Sequence, residues 1–142
     1  MIHAASLAVL VAAASPALAQ HAGRKCTSLE AVSAAKATDH LANWTEVHRF
    51  YQQFGHCFDG AIAGNASDKI QVMLAERWSE LPQLLKYTSE DSQFKQFILD
   101  VVASESFPER TSAAVLSNAE KRCPKNATEF CKSIKSASKR AQ

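Results

Sequence analysis

The chain has 142 residues, a formal net charge of +2 and 46% hydrophobic residues. That size suits one ordinary domain and excludes a large multidomain enzyme, and the charge gives the whole chain no bias toward a polyanionic partner. With only 4 glycines and 4 prolines, with Ala, Leu, Glu, Lys and Gln plentiful and with β-branched residues seldom alternating, helices are favoured over a sheet.

Residues 1–19 read as a signal peptide. Ala4 to Ala14 is an apolar run too short for a bilayer, Pro16 breaks it, and Ala17-Leu18-Ala19 offers the small residues that signal peptidase requires. Cleavage would leave residues 20–142 as a single helical domain starting at Gln20. No second run of about 18 apolar residues follows, so no membrane span is expected in the mature chain. The expected location is periplasmic or secreted.

In that oxidising setting the four cysteines, Cys26, Cys57, Cys123 and Cys131, read as two disulfides. The preferred pairing joins Cys26 to Cys57 and Cys123 to Cys131, since a short turn between helices can bring the second pair within bridging distance. An alternative ties Cys57 to Cys123. Zinc is set aside because there is no C-x-x-C pair and no suitably spaced histidine, so neither a metal nor another cofactor is expected.

The first helix is announced by Thr27 with Glu30 three residues on, a capping box, and should end before Asp39. Asn43 with Glu46 repeats the pattern ahead of an apolar stripe of Trp44, Val47, Tyr51, Phe54 and Phe58. Gly55, Gly60 and Gly64 then bend the backbone or admit a close neighbour, and a helix resumes near Asp59 through Ile62, Ile70, Met73, Leu74 and Trp78. Pro82 suits the first turn of a short helix carrying Leu84, Leu85 and Tyr87. Phe94, Phe97, Ile98, Val101 and Val102 follow the amphipathic template, which places Phe97 and Val101 inside. A helix opening near Pro108 should end near Cys123-Pro124. Asn126 with Glu129 is expected to cap a last helix through Phe130, Cys131 and Ile134, beyond which a basic tail should fray. The expected fold class is all-α: a small disulfide-stapled bundle of about five to six helices.

Charge is unevenly spread. From Asp59 to Glu109 nine acidic residues outnumber four basic ones, whereas from Lys121 onward seven basic residues face only Glu129. A solvated helix accounts for the basic stretch, and nucleic-acid binding has little support because only Phe130 is available for stacking. His40, His48 and His56 recur every eight residues, which on a straight helix separates neighbours by about 80° and about 12 Å, too far to share a metal. They are expected at the surface or at helix ends. Cys57 beside His56 is expected to be half of a cystine rather than a thiolate. No G-x-S-x-G elbow is present, and the carboxylate pairs Asp59 with Asp68 and Glu76 with Glu80 are what an exposed helix face offers, so no enzyme is expected. Asn43, Asn65 and Asn126 lie in N-x-S/T triplets, of which Asn43 and Asn126 also serve as expected helix caps.

The segment Cys57-Phe58-Asp59-Gly60-Ala61-Ile62-Ala63-Gly64 resembles the Cys, Gly, Ile, Gly helix of the Rap/Tai-type immunity proteins, small exported helical proteins associated with type VI secretion. Pro108-Glu109-Arg110, followed by Ala113, Ala114, Leu116, Ala119 and Cys123, is similar to that family's closing helix. These two patches bracket about half of the mature chain. Asp59 to Ala63, Arg77-Trp78 and Leu81-Pro82 also look like uncharacterised exported proteobacterial proteins. The immunity resemblance implies a periplasmic protein that blocks a toxin directed at the cell envelope. The leading expectation is therefore a protein-binding module whose partner is another protein, with Asp59, Gly60, Asn65 and Asp68 as candidate binding residues at the glycine cluster. Its alternatives are a structural or stress-related envelope protein and, third, a small secreted enzyme.

Overall fold

The computed structural model describes His21 and residues 23–106 and 108–140. The expected signal peptide and the expected mature terminus at Gln20 lie outside the described residues. Seven α-helices run in order: α1 (Ser28–Thr38), α2 (Trp44–Phe54), α3 (Gly60–Glu76), α4 (Leu81–Glu90), α5 (Ser92–Val102), α6 (Glu109–Lys121) and α7 (Thr128–Arg140). No strand occurs among the described residues. The all-α expectation holds, with seven helices among the described residues against the expected five to six; Asp91 alone divides α4 from α5.

Local chemistry explains the helix starts. Thr27 forms the anticipated capping box, its hydroxyl accepting from the Glu30 amide while the Glu30 carboxylate accepts from the Thr27 amide. Asn43 Oδ1 accepts from the Glu46 amide at 3.1 Å, but the Glu46 carboxylate reaches one residue further back, to the Ala42 amide. Pro82 sits in the first turn of α4, and Pro108 is the residue ahead of α6. Asp91, which sequence reading passed over as a cap, accepts from the Phe94 amide and opens α5.

Some expectations need correction. Asn126 is not a cap: it lies inside a 3₁₀ turn, Lys125–Ala127, and α7 begins only at Thr128. The C-terminal stretch does not fray after Ile134, since α7 continues to Arg140 and buries Ala137 and Ser138. Phe58 falls beyond α2, where the chain has turned into a 3₁₀ segment at Gly55–Cys57. Gly64 has open space around it, so close helix approach does not explain that glycine.

The middle helix α3 packs against α1, α5 and α6, while α7 closes the bundle on α5 and α6, and α2 lies between α1 and α4. Trp44, Val47, Ile70, Leu74, Leu84, Phe94, Ile98, Val102, Val115 and Ile134 form the centre of the core. Phe97 and Val101 are inside, as expected. Where α3 ends, its free carbonyls meet one buried side chain: Asn118 Nδ2 donates to Leu74 O and Ala75 O, and Trp78 Nε1 donates to Arg122 O at 3.0 Å. These bonds join the ends of α3 and α6 and satisfy groups that burial would otherwise leave without partners.

Both disulfides join the preferred partners, Cys26 with Cys57 and Cys123 with Cys131, and no cysteine is free. No helix among the described residues is long and apolar enough to cross a membrane. Phe94 is fully buried against Tyr51, Phe97 and His48. Phe94→Ala should therefore lower unfolding stability by about 3 to 5 kcal/mol, read from urea melts at unchanged slope.

Candidate functional site

The polar groups with the least ordinary surroundings gather where the segment ahead of α1 crosses the corner between α2 and α3. The Cys26–Cys57 bridge fixes that crossing, with Cα atoms 4.9 Å apart. Beside it the His21 and His56 rings stack at 5.7 Å, and His21 meets the edge of Tyr51 at 5.1 Å. Gly55 makes room for this arrangement. A Cβ there would lie 3.1 Å from the His21 ring and 3.1 Å from the Tyr51 ring.

Glu30 faces the same corner. Its carboxylate is paired with Arg24, holds the Thr27 amide and hydroxyl, and stands 3.2 Å from His56 Nε2 without the alignment of a hydrogen bond. The His56 side chain is 0% exposed. Its two nitrogens have no hydrogen-bond partner, nor does His21 Nδ1. Glu30, His56 and Cys57 bring potential ligand atoms within 4.8 Å of one another. While the disulfide stands, Cys57 offers a cystine sulfur rather than a thiolate.

These surroundings shift protonation. The Thr27 amide and hydroxyl, with Arg24, hold the Glu30 carboxyl down to about 2. Burial lowers the His21 pKa, aided by His56 and Arg24, whereas Asp91 opposes the change. Burial and Asp91 together push the Tyr51 hydroxyl up.

A second polar group sits at the junction of α2, α4 and α5. His48 stacks on Tyr87 at 4.5 Å and places Nε2 3.4 Å from Asp91 Oδ2. Tyr87 and Thr45 share a hydroxyl contact of 2.8 Å, and Gln83 Nε2 donates to Thr45 Oγ1 at 3.1 Å. Because Asp91 also caps α5, this pair docks α2 onto the α4–α5 corner. His48, in the middle of α2, departs from the expected surface or helix-end placement because aromatic packing holds it; His56 stands just past the end of α2, as expected, with its side chain enclosed by the disulfide corner. His40 is exposed, as expected.

The expected binding residues divide into two places. Asp59 and Gly60 line a groove of about 650 Å³ together with Arg24, Lys25, His56 and the cystine. Asp59 accepts from the Gly60 amide at 2.7 Å, and Gly60 has φ +51°, a conformation that suits glycine at the start of α3. Asn65 and Asp68 lie outside the groove, exposed further along α3. Sequence reading missed His21, Glu30 and His56 as one cluster. Only the capping box at Glu30 and the His56-Cys57 adjacency pointed toward it.

No known protein family, curated protein or solved structure matches the chain.

Two pH windows follow from the shifted groups. The unfolded chain protonates His21 more readily than the fold does, so the stabilisation tied to neutral His21 is present above about pH 6.5 and is lost as pH falls through the lowered folded-state value. The contribution of ionised Glu30 is present above about pH 4.5 and is lost as pH falls toward about 2. Urea midpoints measured from pH 8 down to pH 5 should decline, and His21→Gln should flatten that decline; an equal slope in the variant would remove His21 as its source.

Proposed function

We propose that the protein is an exported binding module that recognises another protein, and that its partner is an envelope-directed toxin which it blocks. The carrying observation is where apolar surface is left uncovered. Among the described residues the exposed large apolar ones are Leu29 at 78%, Val32 at 55% and Val72 at 45%. Leu29 and Val32 lie on α1 and Val72 on α3, two helices that pack on each other. Leu29 and Val32 stand three residues apart at the start of α1, so they share one face of that helix and form the exposed apolar pair a partner protein would cover.

The acidic residues supply complementary chemistry. Asp59 stands at the groove and Asp68 is exposed nine residues further along α3, so each offers a basic partner a carboxylate from a separate part of the surface. The resemblance of the Cys57–Gly64 and Pro108–Cys123 stretches to exported immunity proteins supports the toxin as occupant. Two disulfides support an oxidising compartment, because such bridges persist in exported proteins.

Asp59 caps α3, so Asp59→Asn keeps an acceptor at the Gly60 amide while removing charge. Combined with Asp68→Ala, it should leave helicity unchanged by circular dichroism and weaken partner affinity by roughly 30-fold or more, as expected when a desolvated charge pair loses one member. The partner is first captured from envelope extracts by cross-linking. Unchanged affinity in this variant and in a Leu29→Ser/Val32→Ser variant would reject the α1–α3 surface. Recovery of no specific partner would favour a structural envelope protein.

A further inference from the structure

We propose that Cys26, Cys57, His56 and Glu30 form a zinc site that is shut while the Cys26–Cys57 disulfide stands and opens when that bridge is reduced. This inference is independent of the protein-recognition reading.

The starting observation is an excess of unsatisfied nitrogen in one place. Five buried side-chain nitrogens among the described residues lack a hydrogen-bond partner, and three of them belong to His21 and His56. An imidazole with no exposed side-chain surface and neither nitrogen bonded is expensive in a closed core, where each such group costs about 1 to 3 kcal/mol. Its surroundings are those of a ligand. Glu30, His56 and Cys57 atoms fall within 4.8 Å of one another; Cys26 Sγ is bonded to Cys57 but stands outside that group, so as a fourth ligand it would have to turn in once the bridge is reduced.

The spacing also suits a shared ion. His56 Nε2 and Glu30 Oε1 are 3.2 Å apart and are not hydrogen-bonded. Two ligands at about 2.0 to 2.2 Å from a tetrahedral zinc stand roughly 3.3 to 3.6 Å from each other, within a few tenths of an ångström of that separation. Two thiolates, an imidazole and a carboxylate are a soft-to-borderline set that selects zinc over magnesium or calcium. Glu30 would contribute the oxygen now paired with Arg24, a side chain that is 55% exposed and free to swing away.

Access to the bridge is one-sided. Cys26 is exposed and Cys57 is buried, and the groove of about 650 Å³ opens onto both. A dithiol reductant therefore attacks at Cys26. The Cys26–Cys57 S–S bond breaks, a new S–S bond forms within the reductant, and its two electrons and two protons leave Cys26 and Cys57 as thiols. Binding Zn²⁺ then forms two Zn–S bonds and releases those two protons. Disulfide and metal would be alternative staples at one corner.

The test uses the mature protein, fully reduced with a phosphine or left oxidised, and titrated with Zn²⁺ against a chromogenic chelator. The proposal expects tight binding of one zinc by the reduced protein and none by the oxidised protein, with zinc restoring helical signal lost on reduction. Reduced His56→Asn should bind at least about 100-fold more weakly, the upper end of what one supporting group contributes at such sites. Cys26→Ser/Cys57→Ser, which keeps the other two cysteines, should lose binding altogether. Oxidised His56→Asn is first checked by circular dichroism, so a folding defect is seen before reduction. Co²⁺ in place of Zn²⁺ should give thiolate charge-transfer absorption in the wild type alone. Equal binding by the oxidised protein, a loss under about ten-fold in His56→Asn, or binding that persists without Cys26 and Cys57 would each overturn the site.

Discussion

Closure of the Cys26–Cys57 loop is the constraint from which the polar corner follows. In the chain-entropy account, bridging across 31 residues stabilises by roughly 3.7 kcal/mol, against roughly 2.5 kcal/mol for the 8-residue span from Cys123 to Cys131. The longer loop carries α1 and α2 whole, so its bridge positions two helices, whereas the shorter one secures only the turn between α6 and α7. α1 is poorly equipped to hold itself. It buries only Ala34 and Thr38, while Leu29 and Val32 face solvent. Its place depends on the capping box, the cystine and the Glu30 contacts more than on an apolar stripe.

At the opposite end the same problem has a different solution. The end of α3 leaves backbone carbonyls inside the domain, and Asn118 takes two of them with one amide nitrogen while its oxygen accepts from Arg122. Trp78 returns the favour by donating to the carbonyl of that same Arg122. Covalent chemistry thus secures the segment ahead of α1, and a buried hydrogen-bond network secures the junction of α3 and α6. The exposed apolar residues of α1 and α3 lie on elements anchored by one or the other.

Much of the fold was legible because its signals were local. Thr27 with Glu30, Pro82, and the Phe94 to Val102 stripe each announce an element within one or two turns, and the structure keeps all three. Asn126 misled for a physical reason. Its spacing to Glu129 matches a capping box, but Pro124 and the cystine at Cys123 draw the chain into a 3₁₀ turn first, so the helix starts later. The tail misled because composition alone makes Ser, Lys and Ala look solvated, while Ala137 and Ser138 find the core at helical spacing from Ile134. The His21, Glu30 and His56 cluster was barely legible. Its members come from the segment ahead of α1, from α1 and from the turn after α2; the preferred Cys26–Cys57 pairing brings those segments together, but no local pattern shows which side chains then meet.

Gly55 shows how backbone permission and side-chain burial are linked at that corner. It is in ordinary right-handed helical conformation, so its glycine is not explained by backbone geometry. Space explains it. Any Cβ would press on the His21 and Tyr51 rings, and the His21 ring in turn stacks on His56. Removing the side chain at one position therefore allows two imidazoles to pack beside a cystine, and their burial keeps His21 neutral where a solvent-exposed histidine would take up a proton. The absence of one Cβ at Gly55 is thus what the stacked His21 and His56 rings require.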